Sequence, residues 1–261
     1  MASRSTATAE APSSRLHAYA RIAGLVLLFV ACLGPHLAAK LFTRRSPWPP
    51  RFLAGAARIV GARVTREGAP LEPHSLVLAN HTSWLDILVL AGATGTRFVS
   101  KAEIERIPFI GWLSDQNHTL YIERAERGDA HGQVRRIANA LEDPRPLAIF
   151  PEGTTSDGRA LLPFRSTLLH AVSPPPPNAS VRPVAIDYHE VDDIAWFGGE
   201  TGMANVMRVL GMRGTRQVTV RLLDPLPPNA GRKALARDAA AAIAAALSSV
   251  TPRDALQAPP K

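Results

Sequence analysis

A histidine and an aspartate lie five positions apart in the segment Asn80–Asp86, whose sequence reads NHTSWLD. Histidine is the side chain best suited to proton transfer near neutral pH, and a neighbouring carboxylate can fix its tautomer and stabilise its charged form. Residues five apart do not face each other on a regular helix. His81 and Asp86 can therefore meet only if His81 lies in a turn and Asp86 lies in the first turn of the following helix.

The same segment also has the pattern of a helix start. Ser83 is a suitable N-cap, and Ser83 together with Asp86 resembles a capping box, in which both residues serve the helix alone. Short motifs of this kind often occur by chance. The spacing by itself leaves two interpretations open, a proton-transfer pair and a helix cap.

A second candidate site is the segment Phe150–Ser156, which reads FPEGTTS. Glycine lets the backbone approach a ligand closely, and hydroxyls with turn amides can hold a phosphate or an oxyanion. The alternative is an ordinary turn, since the same residue types are common turn formers. Two arginines, Arg124 and Arg165, could bind phosphate bidentately or form surface ion pairs. The glycine motifs of nucleotide-binding loops do not occur in the sequence.

Composition narrows the class of protein. The 261 residues carry a formal net charge of +8, which favours an anionic partner such as nucleic acid, an anionic membrane surface or a phosphorylated substrate. Aromatic residues make up only 6%, and basic residues are not interleaved with them as in single-strand binders, so we expect no nucleic acid partner. With Cys32 as its one cysteine, the chain has neither an internal disulfide nor a cysteine-based zinc site.

The N-terminal region contains the longest apolar segment, Ile22–Phe42, which has basic residues on both flanks. Its uninterrupted part ends before Gly34-Pro35 and is shorter than the ~20 residues of a usual spanning helix. A kinked transmembrane helix and an interfacial anchor fit equally well, and a cleaved signal peptide fits least. We expect membrane attachment through residues 15–62, with a basic amphipathic helix over Arg51–Ala62, and disordered tails at 1–14 and 251–261.

From about Arg63 onward, short strand-like runs alternate with helical ones, which predicts an α/β fold with a mixed, largely parallel sheet flanked by helices. Ligands bind at the carboxyl ends of the strands in such sheets, so His81 and Glu152, each just after a strand, are expected to face one crevice. The predicted strands are Ser75–Ala79, Arg97–Ser100, Thr119–Ile122, Leu147–Phe150, Val181–Ile186 and Gln217–Leu222. The predicted helices are Ser83–Leu90, Ala130–Leu141, Ser166–Ala171 and Arg232–Leu247.

Taken together, the motifs resemble the four sequence blocks of the 1-acyl-glycerol-3-phosphate acyltransferases and related lysophospholipid acyltransferases. The blocks are His-x4-Asp at 81–86, an aromatic-x-x-Arg ending at Arg124, Phe-Pro-Glu-Gly-Thr at 150–154 and Val-x-Pro-Val at 181–184. The resemblance runs from about Pro73 to Pro225 and implies an acyltransferase domain over residues 63–250.

The resemblance implies that His81 is the general base for the free hydroxyl of a lyso-lipid and that Asp86 orients its imidazole. The hydroxyl then attacks the thioester of acyl-coenzyme A or acyl-carrier protein, which is a co-substrate, so no cofactor, metal or acyl-enzyme is expected. The chain's cysteine is expected to lie in the anchor, away from the site.

By family precedent, the acceptor phosphate is bound by Arg124 and by the turn of Glu152, Gly153 and Thr154. A carboxylate repels phosphate, so we expect Glu152 to hold neighbouring amides or Arg124 in place. Pro183 and Val184 are expected to line the acceptor or acyl pocket. Arg165 takes the place of the basic residue that follows the third block.

The sequence departs from the family pattern at two places that concern the acceptor. His118 occupies a position that is usually glycine, and no glycine follows Arg165. The first acceptor expected is 1-acyl-sn-glycerol-3-phosphate, and the alternative is another lyso-lipid such as lyso-ornithine lipid. A hydrolase and a non-catalytic basic membrane-surface protein are alternatives of other classes, and no Gly-x-Ser-x-Gly motif supports a serine hydrolase. The expected location is a bacterial inner membrane, with the catalytic domain facing the cytoplasm.

Overall fold

The computed structural model describes residues 14–43, 46–122, 130–173, 176, 178–228 and 231–249. Within these residues, strands form one seven-stranded sheet with the order β1-β7-β6-β2-β5-β3-β4. All neighbouring strands run parallel except β6 and β7, which are antiparallel. The strands are β1 Ala62–Glu67, β2 Ser75–Ala79, β3 Arg97–Lys101, β4 Leu120–Ile122, β5 Leu147–Ile149, β6 Ser180–Tyr188 and β7 Arg216–Leu222. The predicted mixed, largely parallel sheet is confirmed.

Helices cover both faces of the sheet, and β2 is buried along its whole length between them. Side chains of α1, α2, α3 and α8 contribute to the core on one face, and those of α6, α9 and a short 3-10 helix to the core on the other. The helices are α1 Arg15–Phe42, α2 Trp48–Val60, α3 Leu85–Thr94, α4 Ala102–Glu105, α5 Ile110–Gln116, α6 Ala130–Ala140, α7 Val191–Ile194, α8 Gly202–Gly211 and α9 Arg232–Ser248, with the 3-10 helix at Leu168–Val172.

Several boundaries differ from the sequence-based prediction. Helix α2 begins at Trp48, three residues before the predicted Arg51, because prolines are tolerated in a first helical turn. The segment predicted as an α-helix over Ser166–Ala171 is a 3-10 helix instead. Strand β1 was not predicted because most of its residues are exposed at the sheet edge and carry no apolar signal.

Helix α1 is the predicted N-terminal apolar helix, and it is continuous through Pro35. Its length and composition suffice to cross a membrane, with a mean hydropathy of 2.2 over its most apolar window. The helix packs against α2 and α8, yet many of its apolar side chains are exposed. These are Leu16, Val26, Leu27, Val30, Leu37, Leu41 and Phe42. Gly34-Pro35 therefore interrupts the apolar run in the sequence without ending the helix.

His118 adopts a left-handed backbone conformation with φ of 55°, at the position where the family pattern usually has glycine. Glycine adopts this conformation without the steric cost that a β-carbon adds. His118 thus holds a backbone conformation that glycine would adopt at lower steric cost.

Candidate active site

His81 lies in the turn after β2, and Asp86 lies in the first turn of α3. The His81 Nδ1 and Asp86 Oδ2 atoms are 2.8 Å apart, so the predicted contact between the two residues is confirmed. The Asp86 side chain is fully buried, whereas 19% of the His81 side chain is exposed. The aspartate is thus shielded from water, and the histidine ring is left open on one side.

Asp86 also caps the chain just before the helix, which is one half of the predicted capping box; the other half does not form, because the Asp86 N–H bonds to the Ser83 carbonyl and not to its hydroxyl. Its Oδ2 atom accepts hydrogen bonds from the backbone N–H groups of Thr82, at 2.7 Å, and Ser83, at 2.9 Å. The helix itself begins at Leu85, with Trp84 at the N-cap position, so the predicted start at Ser83 is two residues early. The cap brings the carboxylate of Asp86 back over the turn, where it reaches His81.

Tyr188, at the end of β6, completes the surroundings of Asp86. Its hydroxyl donates a hydrogen bond of 2.7 Å to Asp86 Oδ1. Burial and the nearby carboxylate raise the pKa of the Tyr188 phenol, so this group is a donor at physiological pH. The predicted strand ended at Ile186, which is why Tyr188 was missed. The period-two pattern of Val184, Ile186 and Tyr188 would have placed it on the same core face.

The Glu152 carboxylate accepts hydrogen bonds from two backbone N–H groups near His81. Its Oε1 accepts from the N–H of His81 at 2.7 Å, and its Oε2 accepts from the N–H of Leu162 at 2.9 Å. Burial raises the pKa of the Glu152 carboxyl, although both amide bonds and the charge of His81 lower it. The expectation that Glu152 holds neighbouring amides is confirmed by these contacts.

Other residues of the 150–156 turn also contact His81, through a backbone hydrogen bond and a stacked ring. The Ser156 N–H donates to the His81 carbonyl at 3.1 Å, and Gly153 takes a positive φ of 79° that favours glycine. The His81 ring stacks on Phe150 with ring centroids 4.1 Å apart. The backbone and one face of the histidine ring are therefore fixed.

His81 borders a cavity of about 870 Å³. The cavity extends from His81 between α1, α2, α3, β3 and α5 to the loop Trp196–Glu200. Its wall is mainly apolar and includes Phe29, Leu33, Phe52, Leu53, Ile87, Leu88, Phe98, Ile104, Ile110, Trp112 and Leu113. A pocket of this size and composition suits an acyl chain.

The structure separates the candidate binding residues into groups. Gly153 and Thr154 line the cavity. Arg165 is exposed away from the lining, and its N–H donates to the Pro151 carbonyl. Pro183 and Val184 are buried in β6 and also lie outside the lining, which differs from their expected place. Arg124 lies outside the described residues.

The lining also contains Lys101 and Cys32, which the sequence analysis did not place at the site. Lys101 ends β3, at the same sheet edge as His81, and the position of a cation at a strand end could have indicated it. Cys32 lies in α1 as predicted, and it lines the same cavity as His81. Among the described residues, no cluster of three or more His, Cys, Asp or Glu side chains could hold a metal ion.

The fold is an α/β sheet, and the site is a His/Asp pair at the carboxyl ends of the strands that faces an apolar cavity. Together they define a class of enzyme. The chain belongs to the acyltransferase family, whose model matches residues 61–187. A lyso-ornithine lipid O-acyltransferase of Pseudomonas aeruginosa is 39% identical over 191 residues, which cover 71% of each chain. The resemblance found in the sequence is thereby confirmed.

Two further comparisons concern 1-acyl-sn-glycerol-3-phosphate, the acceptor that the sequence analysis put first, and the fold. A 1-acyl-sn-glycerol-3-phosphate acyltransferase of Neisseria meningitidis is 35% identical over 136 residues, or 52% of each chain. The crystal structure of the 1-acyl-sn-glycerophosphate acyltransferase of Thermotoga maritima has a TM-score of 0.64 at 20% identity and covers 95% of this chain and 96% of that one, which shows a shared fold. The chain spans only about half the length of several other curated relatives.

Proposed function

We propose that the chain transfers a fatty acyl group from the thioester of acyl-coenzyme A or acyl-carrier protein to the free hydroxyl of a lyso-lipid. The observation that carries the proposal is the His81–Asp86 pair, bonded at 2.8 Å, beside an apolar cavity of about 870 Å³. The Nδ1 atom of His81 is bound to Asp86, which leaves Nε2 as the atom that can take a proton from a substrate.

The residues support a direct transfer. Nε2 of His81 removes the proton of the acceptor hydroxyl while the oxygen attacks the thioester carbon, and Asp86 stabilises the resulting imidazolium. When the tetrahedral intermediate collapses, the carbon–sulfur bond breaks and the leaving thiolate takes the proton back from His81. The reaction needs no acyl-enzyme, because a thioester is already an activated donor and positioning supplies much of the rate.

We infer lyso-ornithine lipid as the first acceptor. The Pseudomonas aeruginosa relative carries that acceptor in its name and matches this chain over 71% of its length. Arg165 was expected to help bind a phosphate, but it is exposed and does not line the cavity, so the site has one cation fewer for a phosphate-bearing acceptor. The second candidate is 1-acyl-sn-glycerol-3-phosphate, which is supported by Lys101 in the lining and by the Neisseria relative.

The experiment that tests the function uses the purified full chain in mixed micelles with radiolabelled acyl-coenzyme A or acyl-carrier protein. Lyso-ornithine lipid, 1-acyl-sn-glycerol-3-phosphate and no acceptor form the three arms. We expect a doubly acylated lipid in the first arm. Release of fatty acid without an acceptor would indicate a hydrolase, and vesicle binding with no turnover in any arm would indicate a non-catalytic surface protein.

We also propose that α1 lies in the plane of one membrane leaflet, against an anionic surface. Its 28 residues span about 42 Å, yet both ends are bound to the same domain. The Ser14 N–H donates to the Gly211 carbonyl at 2.8 Å, and the Lys40 Nζ atom lies 3.0 Å from Gln116 Oε1. A helix held this way keeps its exposed apolar face on one side. The inner membrane, with the catalytic domain on the cytoplasmic side, fits a supply of soluble thioester donors.

Charged substitutions on the exposed face of α1 are expected to release the protein from vesicles. Leu27 and Phe42 are 71% and 86% exposed, so Leu27→Glu with Phe42→Glu removes apolar contact with lipid at little cost to the fold. Flotation with vesicles containing anionic lipid measures the bound fraction. The matched control is Ala244→Glu with Ala245→Glu, at exposed positions of α9 on the opposite side of the sheet, which should float like the wild type.

The orientation of α1 needs a separate measurement. In a Cys32→Ala background, Arg15→Cys and Thr43→Cys place one thiol at each end of the helix, and both positions are exposed. We expect a membrane-impermeant maleimide to label both from the same side of sealed proteoliposomes. Labelling of the two ends from opposite sides would show a spanning helix and overturn the in-plane arrangement.

A further inference from the structure

Tyr188 contacts the catalytic pair from the side that faces away from the substrate. Its side chain is buried, and it does not belong to the lining of the cavity. Its hydroxyl lies 2.7 Å from Asp86 Oδ1, 102 positions away in sequence. The proposed reaction assigns this residue no step, because it reaches neither substrate nor the ring of His81.

The two oxygens of Asp86 are held by different groups. Oδ2 accepts from the N–H of Thr82, the N–H of Ser83 and Nδ1 of His81. Oδ1 accepts from the Tyr188 hydroxyl. A carboxylate rotates readily about its last bond, and a buried one needs donors for its charge. The hydroxyl of Tyr188 fixes one oxygen and thereby the direction in which the other faces His81.

We propose that Tyr188 is a positioning residue for acyl transfer, which acts on His81 through the carboxylate of Asp86. The inference rests on the proposed function and deepens it, since it adds a third residue to the His81–Asp86 pair. Because Tyr188 does not touch the cavity, its loss should slow the chemical step and leave substrate binding unchanged. A role in packing alone would instead lower stability without changing the turnover of folded molecules.

The first test is Tyr188→Phe, which keeps the ring and removes the hydroxyl. We expect kcat to fall roughly tenfold with KM unchanged for donor and acceptor, because small losses of alignment are costly in a positioned reaction. The matched control is Ser75→Ala, which removes a fully buried hydroxyl bonded to Glu72 and Ser180 at the other end of β2. Its kcat per folded molecule should equal that of the wild type.

A double-mutant cycle separates action through Asp86 from an independent effect. In an Asp86→Asn background, Tyr188→Phe should lower kcat less than about twofold, because the charge that the hydroxyl positions is already gone. An unchanged kcat in Tyr188→Phe, a change confined to KM, or additive losses in the cycle would each overturn the proposal.

A spectroscopic measurement keeps the proposal testable apart from turnover. The proton NMR signal of His81 Nδ1–H, assigned by its loss in His81→Gln, should shift in Tyr188→Phe and not in Ser75→Ala. An unshifted signal in Tyr188→Phe would overturn the positioning role. Absence of acyl transfer by the wild type would contradict the proposed function and leave this measurement valid.

Discussion

His81→Ala is expected to lower the rate of acyl transfer by about 10²–10⁴-fold, which is the usual contribution of a general base. The His81 imidazole borders the cavity, and its Nδ1 is bonded to Asp86 at 2.8 Å, which leaves Nε2 for the hydroxyl proton. The KM values should change little, because the ring contributes mainly to the transition state. Initial rates with radiolabelled donor measure the effect.

The control for His81→Ala is His170→Ala, an exposed histidine in the 3-10 helix on the opposite face of the sheet, which should retain full activity. Imidazole added to the buffer should restore part of the rate of His81→Ala, since the deletion leaves a ring-sized space beside Phe150 that is open to the cavity. Near-wild-type transfer by His81→Ala would show that the base has been misassigned.

The arrangement of His81 and Asp86 could be predicted because its causes are local. Ser75–Ala79 is a continuous apolar run that becomes a strand buried on both faces, and its carboxyl end fixes where His81 begins. The five-residue spacing then forces Asp86 into the first turn of the next helix. Glu152 follows β5 in the same way, and β5 is the direct parallel neighbour of β2. The segments of His81 and Glu152 therefore meet because each follows the carboxyl end of one of two neighbouring parallel strands.

The contacts that the sequence could not predict depend on tertiary packing. Tyr188 reaches Asp86 from a strand more than a hundred residues away, and the period of β6 places Tyr188 on the core face without indicating its partner. Cys32 reaches the cavity because α1 packs on the domain that it was expected only to anchor. Arg165 and Pro183 were assigned by family precedent, which gives a residue's place in a motif and not the direction of its side chain.

Substitutions of Asp86 can separate its two roles, the helix cap and the partner of His81. In Asp86→Asn, the amide oxygen can accept from the N–H groups of Thr82 and Ser83 while the amide nitrogen donates to the Tyr188 hydroxyl. The helix start should therefore survive, and the negative charge is lost. The amide oxygen can still accept from Nδ1–H of His81, so we expect transfer to fall by about 10²–10⁴-fold because the neutral partner no longer stabilises the imidazolium.

The comparison with Asp86→Ala shows which role is lost in each variant. Alanine removes the charge and the cap together, so it should match Asp86→Asn in activity and unfold more easily by about 1–3 kcal/mol, the usual cost of leaving buried donors without a partner. Urea unfolding of both variants measures the difference. The matched control is Asp192→Asn, at a largely exposed carboxylate that pairs with Arg159, which should leave rate and stability unchanged. Full activity in Asp86→Asn would reduce Asp86 to a helix cap, because only the cap would then remain in use.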